Sequence, residues 1–207
     1  GAVDFYRACL AEGVKPIIGC EVYMTPQGRT RFDKLHEFDA ESRHLVLLCE
    51  NEEGYRNLSY LVSMAWTEGF YIKPRIDLEL LRQHSKGLIA LSACLAGEIP
   101  RRLRNGEYEN AKAYALTMSE IFGPDHFYLE LQDHGIPDQA EVNRGILRIH
   151  QDTGLPMVCT NDAHYLRKED AEAHDILLCI QTGKLVEDEN RMRYEPRNFY
   201  LRSQEEM

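Results

Sequence analysis

"GLIALSACLAGE", residues 87–98, decides how the chain is layered. From Leu88 to Leu91 every side chain is apolar, and glycines stand at Gly87 and Gly97. A strand with one face in water alternates apolar and polar side chains. A short strand without alternation is covered on both faces, as in parallel sheets flanked by helices. The same character recurs in "HLVLLCE" (44–50) and "PMVCTN" (156–161), with "KPIIGCEVYM" (15–24) and "HFYLELQ" (126–132) completing five strand-like runs.

Helical patterns fill the gaps. They are "DFYRACLAEG" (4–13), "EEGYRNLSYLVSMAWTEG" (52–69) behind an Asn51 cap, "DLELLRQHSKG" (77–87), "GEIPRRLRNG" (97–106), "EYENAKAYALTMSEIFG" (107–123), "DQAEVNRGILRIHQDTG" (138–154) and "KEDAEAHDILLCIQTG" (168–183). Asn is a favoured helix N-cap, and glycines at 13, 87, 154 and 183 are natural stops. Residues 25–43 are polar and without period, and the tail "EDENRMRYEPRNFYLRS" reads as charged and extended. Strands alternating with helices predict a parallel α/β fold, either an open doubly wound sheet or a barrel. No glycine-rich phosphate loop follows a strand, which weakens the nucleotide-binding sheets. The chain begins on Gly1 in a helical pattern and stops at "SQEEM", which reads as a helix start; both ends read as cut.

The 207 residues suffice for one large domain. With 43% hydrophobic and 28% charged residues the chain reads as soluble and globular. No apolar run nears the ~20 residues of a membrane span. A net charge of −10 argues against a free-standing nucleic-acid binder. The six cysteines are scattered without a C-x-x-C pair, which predicts a reducing, cytoplasmic setting.

Chemistry in parallel α/β folds gathers at the C-terminal ends of strands. Glu21 lies in the first strand, Cys94 ends the third, Asp133 and His134 end the fourth, and Asp162 and His164 end the fifth. His44 stands at the start of the second strand instead. Each has a plain reading: Glu21 as an edge residue, Cys94 as a core thiol, His134 as a turn residue, Asp162 as a helix cap. His36, His84, His126, His150 and His174 are assigned no role. As a set they offer more. Period-two alternation would put Asp162 and His164 on one face, within ~2.0–2.2 Å of one ion. Carboxylate, imidazole and thiolate suit Zn, Mn or Fe, and paired metals activate water for attack on phosphorus.

"KPIIGCEVYMTP", "HLVLLCENEEGYRNL", "EGFYIKPRID", "GLIALSACLAGEIP", "LELQDHG" and "TNDAHYLRKEDAEAHDILLCIQTGK" together closely resemble the PHP (polymerase and histidinol phosphatase) domain of bacterial DNA polymerase III alpha subunits. The resemblance implies a distorted (β/α)7 barrel, here without its first two strands, over residues 1–189. Residues 190–207 would then lead toward the rest of the polymerase. It implies metal ligands at Glu21, His44, Cys94, Asp162 and His164, with Asp162 and His164 also catalytic; His44 is accepted on resemblance alone. The family's His-x-His and Asp-His-Gly ligand segments would precede Gly1. The implied parent is a DNA-directed DNA polymerase with Mg at a polymerase site outside this chain. Its implied partners are DNA, a sliding clamp, a clamp loader and a proofreading subunit, and no membrane. The PHP site itself would be a metal-dependent 3′–5′ exonuclease. A docking scaffold for a separate proofreading subunit and a stand-alone PHP phosphoesterase stand as alternatives.

Overall fold

A computed structural model describes residues 1–35 and 37–207; His36 lies outside the described residues. Seven strands form one sheet: β1 (Gly19–Met24), β2 (Arg43–Cys49), β3 (Phe70–Tyr71), β4 (Lys73–Ile76), β5 (Leu88–Leu91), β6 (Phe127–Leu131) and β7 (Met157–Cys159). The helices are α1 (Ala2–Ala11), α2 (Glu52–Thr67), α3 (Leu78–Gln83), α4 (Glu98–Arg104), α5 (Tyr108–Phe122), α6 (Pro137–Thr153) and α7 (Ala171–Thr182). The α/β class is as expected, and the sheet is consistent with part of a (β/α) barrel that is not closed. Its order is β3-β4-β1-β2-β5-β6-β7.

The sheet is mixed, which corrects the all-parallel expectation. β5, β6 and β7 run parallel, as do β1 and β4, but β2 is antiparallel to both β1 and β5. The hairpin of β3 and β4 was missed because Lys73, Pro74 and Arg75 break the apolar pattern. Asn51 does cap α2, accepting the Gly54 N–H at 3.0 Å. Gly154 and Gly183 end α6 and α7 in the left-handed conformation. "SQEEM" forms a turn rather than a helix.

The core lies between the sheet and helices α2, α5 and α6. Leu47, Leu61, Ile76, Leu81, Ala90, Met118, Leu129 and Ile149 are all fully buried there. Alternation assigns the two faces. Val22, Met24, Leu45, Leu47, Phe127 and Leu129 point into this core, while Glu21, Tyr23, His44, Glu130 and Gln132 fall on the opposite parity.

One close approach constrains the packing. The first turn of α2 lies on the turn before β5, so a Cβ on Gly54 would sit 1.8 Å from the Gly87 carbonyl oxygen. Backbone cannot yield as a side-chain tip can. Gly54→Ala should therefore destabilise the fold by about 1–3 kcal/mol, read as a lower denaturant midpoint.

Candidate metal centre

The antiparallel direction of β2 explains His44. A strand that runs against its neighbours starts where they end, so His44 stands at the same rim as the ends of β1 and β5. Register pairs Tyr23 with His44 and Glu21 with Val46, which makes Glu21 the diagonal neighbour of His44 on one face. Glu21 Oε1 lies 3.1 Å from His44 Nδ1. The Tyr23 ring meets the imidazole edge-on, with centroids 5.2 Å apart.

Cys94 arrives from the loop after β5. Ala93 takes a left-handed φ of 63°, rare for a residue with a Cβ. Its N–H donates to Glu130 Oε2 at 2.8 Å. The loop closes with Gly97 N–H on the Cys94 carbonyl at 2.8 Å, and His44 N–H donates to the Ala96 carbonyl at 3.1 Å. A side chain on Gly97 would collide with the Ser92 carbonyl oxygen. Cys94 Sγ is thereby brought to 3.6 Å from His44 Nδ1. The donor atoms of Glu21, His44 and Cys94 all lie within 4.8 Å of one another. Bonds of ~2.0–2.3 Å to a shared ion match such a separation.

Asp162 and His164 reach the site differently from the expectation. β7 ends at Cys159, so strand alternation does not align them. Asp162 instead takes a left-handed φ of 42°, and its Oδ1 comes 3.5 Å from His164 Nε2. Nor does it cap a helix: Asp170 is the cap residue of α7. The pair lines one cavity of about 440 Å³ together with Glu21, His44 and Cys94. All five expected ligands thus share a cavity, three as one donor cluster and two as an adjacent pair.

Several residues that build this cavity carried no assignment. Glu130 is buried, and it receives the Ala93 N–H, the Gln132 amide and the Thr160 hydroxyl. It therefore ties the Cys94 loop to the exit of β7. Burial raises its pKa above the ordinary carboxylate value. His134 is a buried brace and not only a turn residue. Its Nε2 is 2.6 Å from the Asn161 carbonyl oxygen, its Nδ1 is 2.9 Å from the Gln139 amide, and its ring stacks on Phe199 at 4.1 Å. The neutral tautomer that donates from Nε2 and accepts at Nδ1 satisfies both contacts. Asp133 is the turn residue, accepting the Gly135 N–H at 2.9 Å.

The chain after residue 190 folds back on this loop. His164 N–H donates to the Phe199 carbonyl at 2.8 Å, and Asn161 holds Tyr200 and Arg202 through its amide. Phe199 is buried, and Tyr194 and Phe199 both line the cavity. Alternating polar residues in "FYLELQ" were the available signal for Glu130 and Gln132; nothing in the sequence links Tyr194 or Phe199 to residues thirty positions earlier.

The charges are arranged for a cation. The Cys94 sulfur and the Glu21 carboxylate beside it push the His44 imidazole up to about 10. His164 holds the Asp162 carboxyl below its usual range, against the effect of burial. Burial chiefly, with the neighbouring acidic groups of Asp162, Cys94 and Glu21, raises the Tyr194 phenol. The donor set of one carboxylate, one imidazole and one thiol suits a divalent transition ion. Among the described residues Gln132 Oε1, buried on a residue that lines the same cavity, has no hydrogen-bond partner, an acceptor that an ion or its water would engage. The residues present therefore fit a metal.

A PHP domain family profile matches residues 1–134. The chain belongs to the PHP domain family. Over its whole length this PHP chain is similar to DNA polymerase III subunit alpha of Treponema pallidum, 46% identical over 208 residues and 18% of that relative. It is also similar to the same subunit of Deinococcus radiodurans, 46% identical over 209 residues and 16% of it, and of Helicobacter pylori strain J99, 43% identical over 218 residues and 18% of it. The PHP chain thus spans under a fifth of the length of the curated relatives it matches.

Proposed function

We propose that this PHP chain is the metal-binding part of a bacterial replicative DNA polymerase alpha subunit, and that its cavity hydrolyses phosphodiesters at a DNA 3′ end. The parent would be a cytoplasmic DNA-directed DNA polymerase, with Mg at its own polymerase site elsewhere. It would work with a sliding clamp, a clamp loader and a proofreading subunit. Residues 1–189 would form the partial barrel, and residues 190–207 would continue toward the rest of the polymerase. Between them, Tyr194 and Phe199 wall the cavity on the way.

One observation carries the reading: Glu21, His44, Cys94, Asp162 and His164 gather at one cavity whose size lies in the ~300–1,000 Å³ range of small-ligand sites. Zn, Mn or Fe held by these residues would supply Lewis-acid activation of water and of the phosphoryl oxygen. Asp162, ionised at neutral pH beside His164, can orient an attacking water by accepting its hydrogen bond. Tyr194, a neutral phenol with its pKa raised further by burial, can donate a hydrogen bond to a non-bridging oxygen. Gln132 Oε1 can accept from the terminal 3′-hydroxyl.

The full-length protein loaded with Mn or Zn should remove nucleotides stepwise from the 3′ end of single-stranded DNA. Asp162→Asn should slow this by at least ~10²-fold, read from a gel of end-labelled products. No release from the 3′ end by the loaded wild type sinks the catalytic reading. A chelator-sensitive melting temperature in that same protein would then leave the metal with a scaffold role.

A further inference from the structure

A second, more enclosed cavity lies on the far side of Tyr194 from the metal centre. The Tyr194 ring is a shared wall, with its centroid 4.5 Å from His164 and 5.1 Å from His174. The cavity measures about 50 Å³ and is faced by Tyr165, His174, Asp175, Arg191, Arg193 and Arg197. It is room for a small polyatomic group and more than the ~10–15 Å³ one water needs.

Its charge is unusual for a chain of net −10. Three arginines line it beside two acidic residues, Asp175 and Glu195. Arg191 is already committed: it is 3% exposed and forks onto Asp175 at 2.6 and 2.7 Å. That pair lines the cavity and neutralises the Asp175 charge. Arg193 and Arg197 form no ion pair within 4.0 Å among the described residues, yet both are near enough to hold Asp175 further below its usual range. Among the described residues Arg193 hydrogen-bonds only the Asp188 carbonyl oxygen, at 3.3 Å. Tyr165 accepts the Phe199 N–H at 3.1 Å through its hydroxyl oxygen, which keeps its O–H free to donate.

Two guanidinium forks without ion pairs among the described residues, beside a free hydroxyl donor, match a tetrahedral anion with several acceptor oxygens. We propose that this cavity binds a phosphate group through Arg193, Arg197 and Tyr165. The shared wall puts that group beside the metal centre. If the proposed function holds, the phosphate belongs to a nucleic-acid strand whose end lies against Asp162 and His164; otherwise it is free phosphate.

The test uses the full-length protein and two probes, inorganic phosphate by calorimetry and a short single-stranded oligonucleotide by fluorescence anisotropy. Arg193→Gln with Arg197→Gln should weaken inorganic phosphate by tenfold or more, with metal content unchanged by mass spectrometry. Cys94→Ser should lower metal content and leave phosphate binding within twofold. Phosphate should also raise the melting temperature of wild type more than that of the double variant. Oligonucleotide affinity falling together with phosphate supports the site with a strand as its source. Phosphate alone falling supports it with free phosphate as its source. Phosphate binding that survives the double substitution, or that disappears with Cys94→Ser, overturns the proposal. Hydrolysis is not part of the readout, so failure of the exonuclease reading leaves this result interpretable.

Discussion

Arg75→Met should lower the unfolding free energy by about 3–5 kcal/mol, a large share of the 5–15 kcal/mol typical of a folded domain. Arg75 is fully buried, and its guanidinium serves as the organising centre of the segment after β1. It donates to the carbonyl oxygens of Gly69 at 3.1 Å, Asp33 at 3.0 Å and Arg31 at 3.4 Å, and to that of Asp39. Methionine matches the bulk but none of the donors. The buried carbonyls of Gly69 and Asp39 and the half-buried ones of Arg31 and Asp33 would lose their partners together, each at about 1–3 kcal/mol less whatever water recovers. Arg75→Lys keeps the charge but not the fork, so it should rescue less than half of the loss. A denaturant midpoint measures both variants. Cleavage by a nonspecific protease should move into residues 26–41, because Asp39 and Arg29 then lose the frame that their own pair, at 2.5 and 2.7 Å, hangs on. A midpoint shift under 1 kcal/mol for Arg75→Met would show that the loop stands without its central donor.

Arg75 also marks where sequence reading stops. Apolar runs and capping residues are local signals, so β1, β2, β5, β6, β7 and every helix core stood in the sequence. The described residues between β1 and β2 read as irregular because side chains from elsewhere in the chain, Arg75 of β4 with Asp77 and Glu68, hold them in place of any periodicity of their own. The reversal of β2 was equally invisible, since strand direction is a property of connections and not of the run "HLVLLC". It was that reversal that made His44 look misplaced. For Asp162 and His164 the residues were legible and the geometry was not. Alternation promised a shared strand face, whereas the pair meets through a left-handed turn that Asp162 itself adopts. Such positions are costly for a residue with a Cβ and concentrate at functional sites. Here the cost is offset by His134, which holds the Asn161 carbonyl, and by Phe199, whose backbone holds His164.

His44→Ala should weaken binding of a divalent transition ion by roughly 10²–10³-fold, an even share of the ~10–16 kcal/mol that a complete ligand set supplies. His44 Nδ1 is the atom from which Glu21 and Cys94 are both measured, at 3.1 and 3.6 Å, so its loss opens the centre of the cluster. Cys94→Ser should instead change selectivity, weakening Zn more than Mn, because it replaces a soft sulfur donor by a hard oxygen. Proton competition gives the pH dependence. With its pKa pushed up to about 10, His44 carries a proton at neutral pH that an ion must displace. Apparent affinity should rise up to about tenfold per pH unit between 7 and 9. Calorimetry in two buffers of different ionisation enthalpy should find at least one proton released. Without metal the sign reverses. A raised imidazole pKa stabilises the fold fully below its unfolded value of 6.5, and that contribution is lost as pH rises through about 10. Alkaline conditions should therefore weaken the metal-free fold at this site while strengthening metal binding. His44→Ala should flatten both pH trends, narrowing without abolishing the difference between melting temperatures with and without chelator across that range. If His44→Ala binds Zn as tightly as wild type, the ion is held by other residues and the cluster of Glu21, His44 and Cys94 is an ordinary hydrogen-bonded triad.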